Sequence, residues 1–332
     1  MKKNPILSTV PFDENGVHHG FLRLPHSRDD SAWGSVMIPI SVVRNGDGPT
    51  ALLTGANHGD EYEGPVALQA LAYQLRAEEI NGRVIIVPAF NYPAFRAGRR
   101  TSPIDGGNMN RIFPGRPDGT VTEKIADYFQ RTLIPMADLV VDIHAGGKTL
   151  DFVPFCAAHI LPDKRQEAAC VATMQAFDAP YSLMLLEIDS VGMYDTAAEE
   201  AGKVFISTEL GGGGTSTAGS NRIAHKGIRN VLIYTGILQG ELQQAGSQFL
   251  DMSADNSTLF SEHDGLVEFC VDLGETVASG DLIARVWSQE RSGAAPINYA
   301  AQTDGILAGR HFPGLVKCGD FLALLAKEAD LL

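Results

Sequence analysis

Pro49-Thr50-Ala51-Leu52-Leu53-Thr54-Gly55-Ala56-Asn57-His58-Gly59-Asp60-Glu61 is the stretch that decides the fold of this chain. Ala51, Leu52 and Leu53 form a short apolar run that stops at Gly55, the pattern of a strand buried on both faces. Over residues 61–75, Val66, Leu68, Leu71 and Leu75 recur at helical spacing. His58 is therefore expected just beyond the carboxyl end of a strand and ahead of a helix. In an open α/β sheet that edge is where ligands bind.

Two more strands point to the same edge. The run at residues 138–143 is followed directly by His144, and Ala145-Gly146-Gly147 gives the chain a tight exit. The run at residues 204–208 ends in Glu209 and is followed by Leu210 and Gly211 to Gly214. A histidine and a glutamate three apart can face one ion, and a distant second histidine completes three protein ligands with a fourth, open position. His58, Glu61 and His144 are accordingly read as one metal site, zinc at one ion per chain being the expected occupant, with a helix-start histidine beside a solvated glutamate as the plain alternative. A carboxylate at the end of an apolar strand is costly to bury without a partner, so Glu209 is expected at the mouth of a site instead of in the core. The plain alternative is a solvated strand-end acid.

The rest of the chain extends this reading. Val36, Ile38, Ile40 and Val42 alternate with polar residues as edge strands do, residues 83–87 form another strand, and helices are expected over 122–136, 163–177 and 223–238. The resulting class is α/β with a mixed or mainly parallel sheet flanked by helices. Beyond residue 241 the texture turns to short glycine-punctuated β runs. Asp264-Gly265-Leu266-Val267 and Gly280-Asp281-Leu282-Ile283-Ala284 are echoed about forty residues later by Asp304-Gly305-Ile306-Leu307 and Gly319-Asp320-Phe321-Leu322-Ala323. A main unit over residues 1–240 and a smaller β unit over 241–332, built from two similar halves like a barrel-sandwich, are expected. Neither half offers a lysine at a mid-hairpin tip, so a carrier role is set aside in favour of a structural or access-shaping one.

Composition removes several classes of function. With 26 basic against 40 acidic residues and a net charge of -14, nucleic acid is not an expected partner. No run of the sequence reaches the length of apolar residues needed to span a bilayer, and Met1-Lys2-Lys3-Asn4-Pro5 is not followed by an apolar stretch of signal-peptide length. No membrane association and a cytoplasmic location are the expectation, and a homo-oligomer is compatible with the sequence. Cys156, Cys170, Cys270 and Cys318 are widely spaced and read as small core residues.

The loop-like stretch from Gly98 to Gly115 holds Arg99, Arg100 and Arg111 with Asn108 and Asn110. A guanidinium fork grips a carboxylate at two points and stabilises an oxyanion, while a solvated basic loop is the alternative. Taken in order, Gly55-Ala56-Asn57-His58-Gly59-Asp60-Glu61, Asn108-Met109-Asn110-Arg111-Ile112-Phe113-Pro114-Gly115, Asp142-Ile143-His144 and Thr208-Glu209-Leu210-Gly211 resemble the succinylglutamate desuccinylase and aspartoacylase family, relatives of the zinc carboxypeptidases. The resemblance spans roughly residues 51–240 and implies that fold.

It also implies roles. His58, Glu61 and His144 match the zinc ligands, Glu209 the general base, and Asn110 with Arg111 the pair that binds the substrate carboxylate. Arg100 matches the carbonyl-polarising arginine, with Arg99 the alternative. Asn108 stands where the family pattern has aspartate. The implied reaction is hydrolysis of a small N-acyl amino acid, with deacetylation of Nα-acetyl-L-2,4-diaminobutyrate in ectoine degradation as the expected case. Another N-acyl amino acid or a peptide cut by a carboxypeptidase are the catalytic alternatives, and a zinc-containing ligand-binding module the non-catalytic one. A substrate with a free ammonium calls for an acid in its pocket. Residues 186–195 carry Glu187, Asp189 and Asp195 with no lysine or arginine, and one of the three is expected to face it.

Overall fold

The computed structural model describes residues 2–185, 190–252 and 256–329. At its centre, strands Gly82–Val87, Thr50–Gly55, Leu139–His144 and Val204–Glu209 lie side by side and parallel. Alternation along these strands sorts their side chains onto two faces. Ala51, Leu53, Val84, Ile86, Leu139, Val141, Ile143 and Ile206 pack on one face against helices Glu63–Gln74, Lys164–Phe177 and Ala218–Tyr234. Leu52, Ile85, Val87, Val140 and Phe205 pack on the other, with Val121–Tyr128 and Tyr194–Glu200. The sheet is mixed. Ser35–Asn45 joins the parallel core antiparallel on one side, and Phe155–His159 on the other.

The sheet continues into the C-terminal part of the chain. Gln248–Asp251 pairs with Tyr181–Leu185 and with Phe321–Glu328, and Gly305–His311 pairs with both Phe321–Glu328 and Leu150–Phe152. A second, four-stranded sheet is formed by Ile297–Ala300, Leu282–Trp287, Gly265–Phe269 and Leu315–Val316. Ile283, Val286, Leu307, Leu322 and Leu325 are among the residues that fill the space between them. The internal repeat is visible as exchanged contacts. Asp304 accepts from the Ser279 amide at 2.7 Å, and Asp264 accepts from the Cys318 amide at 2.8 Å, so the turn of each half is closed by the other.

Several elements differ from the sequence reading, each for a local reason. The first helix runs Glu63–Gln74, and its buried stripe is Ala67, Leu68, Leu71 and Ala72, with Val66 facing out. The helix expected over 122–136 is α-helical over Val121–Tyr128, passes through a π turn at Phe129–Leu133 and ends as Ile134–Met136. Pro135 lies in that last turn, where its ring would crowd the Arg131 carbonyl of a regular helix. The helix expected over 223–238 is Ala218–Tyr234. It starts earlier because the Thr217 side chain accepts from the Ser220 amide, and it stops where Gly236 turns left-handed at φ 73°. Cys156 and Cys170 are core residues, but Cys270 and Cys318 are exposed, in the bend after Gly265–Phe269 and the turn after Leu315–Val316.

Candidate active site

His144 is the last residue of its strand, not the residue after it, and pairs in register with Glu209 at the end of the next strand. Adjacent strands in register direct both side chains to the same face. On the other side, the chain leaves Thr50–Gly55 through Ala56, held left-handed at φ 50°, and swings His58 and Glu61 over the ends of these strands. Gly59 permits this turn, since a Cβ there would sit 2.1 Å from the backbone of Ala94 in helix Tyr92–Ala97. Asn91 reinforces it, donating from Nδ2 to the Asn57 carbonyl at 3.0 Å.

The Glu61 carboxylate lies between the two imidazoles, Oε1 2.7 Å from His58 Nδ1 and Oε2 2.9 Å from His144 Nδ1. All three residues are buried, and their ligand atoms lie within 4.8 Å of one another. Burial alone would raise Glu61, but His144 and His58 beside it hold its carboxyl well below the usual range. His144 is raised well above the ordinary histidine value: burial opposes its charge, and the Asp142 and Glu61 carboxylates outweigh that. His58 is lowered, chiefly by burial, with the charges of Arg100 and His144 adding to it against the pull of Glu61. Burial pushes Glu209 up to about 8, with Glu61 adding to the push and His144 and Arg100 opposing it. Its Oε2 is shut from solvent and makes no hydrogen bond among the described residues. Two imidazoles and a carboxylate converging on one point are a donor set that suits a divalent ion such as zinc, and this group can hold a metal.

The remaining expected residues divide. The charge of Arg100 bears on both His58 and Glu209, while its side chain stays exposed. Asn110 and Arg111 form a 3-10 turn, Met109–Arg111. Asn110 Oδ1 accepts from the Tyr194 amide at 3.0 Å, so only its Nδ2 can donate to a substrate oxygen. The exposed Arg111 donates from Nη1 to the Asn110 carbonyl at 2.6 Å. Gly192 packs on the backbone of this turn, where a Cβ would come within 2.6 Å of the Arg111 carbonyl, and the Phe113 amide donates to Gly192. That contact brings the start of helix Tyr194–Glu200, with its buried Asp195, against the Asn110–Arg111 turn. Glu187 and Asp189 lie outside the described residues.

The sequence reading passed over a buried cluster beneath His144. Asp142 Oδ2 is 2.7 Å from His144 Nε2 and accepts from Asn57 Nδ2 at 2.9 Å, and Asp142 Oδ1 accepts from Thr54 Oγ1 at 2.7 Å. Alternation carried the signal for Asp142, two residues before His144 on one strand. Glu63 was missed too. It is buried, receives a hydrogen bond from Ser220 Oγ at 3.1 Å, and is pushed up to about 7 by burial.

Three convergent side chains that can hold a metal ion and a further carboxylate, at the carboxyl edge of a parallel sheet, match a class of hydrolytic enzymes. The chain belongs to the succinylglutamate desuccinylase/aspartoacylase family, whose catalytic-domain model matches residues 47–235. It is 55% identical over 333 aligned residues to the N-alpha-acetyl-L-2,4-diaminobutyric acid deacetylase of Halomonas elongata, covering 100% of this chain and 97% of that one. Its structure superposes on the product-bound ectoine utilization protein EutE (DoeB) of Ruegeria pomeroyi with a TM-score of 0.97 at 67% identity, covering 98% of this chain and 100% of that one. A succinylglutamate desuccinylase/aspartoacylase from Rhodobacter sphaeroides gives 0.93 at 37% identity, with 98% and 100% covered.

Proposed function

We propose that this chain removes the acetyl group of Nα-acetyl-L-2,4-diaminobutyrate, giving acetate and the free diamino acid, with one zinc ion held by His58, Glu61 and His144. The observation that carries this reading is the full-length 55% identity to a deacetylase of that substrate, in a chain whose three ligand atoms converge within 4.8 Å. When bound there, zinc supplies a Lewis acid toward a carbonyl oxygen and toward water. The remaining work falls to side chains. Glu209, beside His144 in register, accepts the proton of the attacking water and delivers it to the departing nitrogen. Arg100 donates to the carbonyl oxygen as it gains negative charge. Arg111 and the Nδ2 of Asn110 hold the α-carboxylate, and Asp195 takes the side-chain ammonium.

The main unit over residues 1–240 carries the chemistry in this reading, and the β unit over 241–332 shapes access. The substrate is a small molecule, and the protein works in the cytoplasm. No helix among the described residues is long and apolar enough to cross a membrane. The test is a comparison of zinc-loaded protein on Nα-acetyl-L-2,4-diaminobutyrate, N-acetylaspartate and N-succinylglutamate. The first should be hydrolysed with the highest kcat/KM; preference for either dicarboxylate would replace the substrate assignment while leaving the hydrolytic class intact.

A further inference from the structure

The two histidines of the candidate metal centre are supported unequally. His58 Nε2 is buried and makes no hydrogen bond among the described residues, so no hydrogen bond on that side of the ring fixes how it is turned. His144 is backed by a carboxylate that is itself held at both oxygens. Thr54 and Asp142 are register partners on neighbouring parallel strands, and Thr54 Oγ1 donates to Asp142 Oδ1 at 2.7 Å. Asn57 Nδ2 donates to Asp142 Oδ2 at 2.9 Å and lies 3.3 Å from His144 Nε2. Thr54 and Asn57 are fully enclosed, and Asp142 nearly so.

We infer that Thr54 and Asn57 are positioning residues which, by clamping Asp142, fix the His144 ring with its Nε2 proton directed to Asp142 and its Nδ1 offered to the metal. The inference rests on the proposed metal centre and deepens it. A carboxylate has room for several donors, and an unclamped Asp142 could swing about its χ angles toward other partners. With Thr54 on Oδ1 and Asn57 on Oδ2, one lone-pair direction remains on Oδ2, the oxygen that faces His144 Nε2. The ring then keeps one tautomer before any ion arrives, so binding loses less orientational freedom. The Asn57 NH2 spends its donor on Asp142 Oδ2, and the same oxygen lies 2.7 Å from His144 Nε2, so a proton on Nε2 is what avoids setting an imidazole lone pair against a carboxylate that can only accept. The anchor reaches back into the fold: the Asn57 carbonyl is fixed by Asn91, at the start of helix Tyr92–Ala97.

The test is zinc affinity, measured by chelator competition on the full chain, with Thr54→Val as the near-isosteric loss of the hydroxyl and Thr54→Ser as its rescue. Thr54→Val and Asn57→Ala should each weaken zinc binding by about 10- to 100-fold, the range for supporting residues of this kind. Thr54→Ser should stay close to wild type. Nitrogen-15 imidazole spectra of the zinc-loaded proteins provide a readout that lost stability alone would not move. The His144 signal should show a single Nε2-protonated form in wild type and lose that uniformity in Thr54→Val. Melting of the metal-free proteins identifies any variant that fails to fold, in which case the other variant decides. Zinc affinities of both variants equal to wild type, or Thr54→Ser as weak as Thr54→Val, would overturn the inference. A wild-type protein that holds no zinc would instead overturn the metal centre itself.

Discussion

Glu209 and His144 end two neighbouring parallel strands in exact backbone register, one residue directly beside the other. The Leu210 amide continues the ladder, donating to the His144 carbonyl at 3.1 Å. The separation of the proposed base, Glu209, from His144 of the candidate metal centre is thus set by strand spacing, about 4.8 Å, and not by the conformation of a long loop. Groups built on strands hold their geometry more closely than groups on loops. Replacing Glu209 should therefore change the chemistry and leave the centre standing. Glu209→Gln is expected to keep the zinc content and melting temperature of the wild type while losing about a hundred- to ten-thousand-fold in kcat, since an amide cannot take the proton of water. Turnover near the wild-type rate would remove Glu209 from the role of base.

The ligands should behave in the opposite way. His58→Ala or His144→Ala leaves two protein ligands where three converge, and both zinc content and hydrolysis are expected to disappear. Elemental analysis after dialysis is the measurement. One zinc per chain in either variant would contradict the assignment. Dialysis of wild type against a chelator should likewise abolish activity, and added zinc should restore it.

The two arginines are expected to separate in kinetics. Arg111, on the turn beside Asn110, is assigned to ground-state binding of the α-carboxylate, so Arg111→Lys should raise KM with little change in kcat. Arg100, whose charge is felt by both His58 and Glu209, is assigned to the carbonyl oxygen, so Arg100→Ala should lower kcat by about a hundred- to a thousand-fold. If the kinetic effects are exchanged, so are the roles. If Arg100→Ala is silent while Arg99→Ala is not, the polarising group is Arg99.

The sequence carried the strand-end residues because each followed an apolar run, and that cue depends only on local order. It could not carry Thr54 and Asn57, whose roles exist only once Thr54 is set beside Asp142 by strand register. Helix ends were misplaced for a similar reason. The start of Ala218–Tyr234 is fixed by the Thr217 cap inside a Gly- and Thr-rich stretch that reads as loop, so apolar spacing alone began the helix at Ile223. Cys270 and Cys318 read as core by residue type, yet both fall just past the ends of strands, in a bend and a turn that face water, and type does not mark those positions. The repeat was legible, and what it does was not: Asp264 and Asp304 close each other's turns across the two halves, a pairing visible only in the folded chain.

The connection into the β unit is fastened by one buried acid. Asp178, left-handed at φ 56°, accepts from Lys226 Nζ at 2.7 Å and from the amides of Ala245 and Gly246 at 2.7 and 3.0 Å. Asp178→Ala strands these donors and places alanine in a conformation it disfavours, for a loss of roughly 2–4 kcal/mol. Thermal unfolding should show a melting temperature lower by several degrees, with kcat of the folded enzyme at 25 °C unchanged. An unaltered melting temperature would mean that the connection contributes little to stability.

Substrate choice supplies the last prediction. Nα-acetyl-L-2,4-diaminobutyrate carries an ammonium where acetylaspartate and succinylglutamate carry another carboxylate, so its pocket needs an acid in place of a further arginine. Asp195 is buried in the first turn of Tyr194–Glu200, and its Oδ1 accepts from Thr196 Oγ1 at 3.2 Å. Tyr194, its neighbour, donates its amide to Asn110 at 3.0 Å, which ties the acid to the turn assigned to the α-carboxylate. In an α-amino acid the ammonium and carboxylate of diaminobutyrate are a few bonds apart, so a cation site beside the carboxylate site is the arrangement the substrate requires. Asp195→Asn keeps the side-chain shape and the Oδ1 acceptor while removing the charge. It should lower kcat/KM for the cationic substrate by about tenfold or more and leave an uncharged N-acetyl amino acid of similar length nearly unaffected, as expected for loss of one charge-assisted contact. Equal losses on both substrates would make Asp195 a structural residue of the helix start, and no loss on either would move the ammonium to another acid.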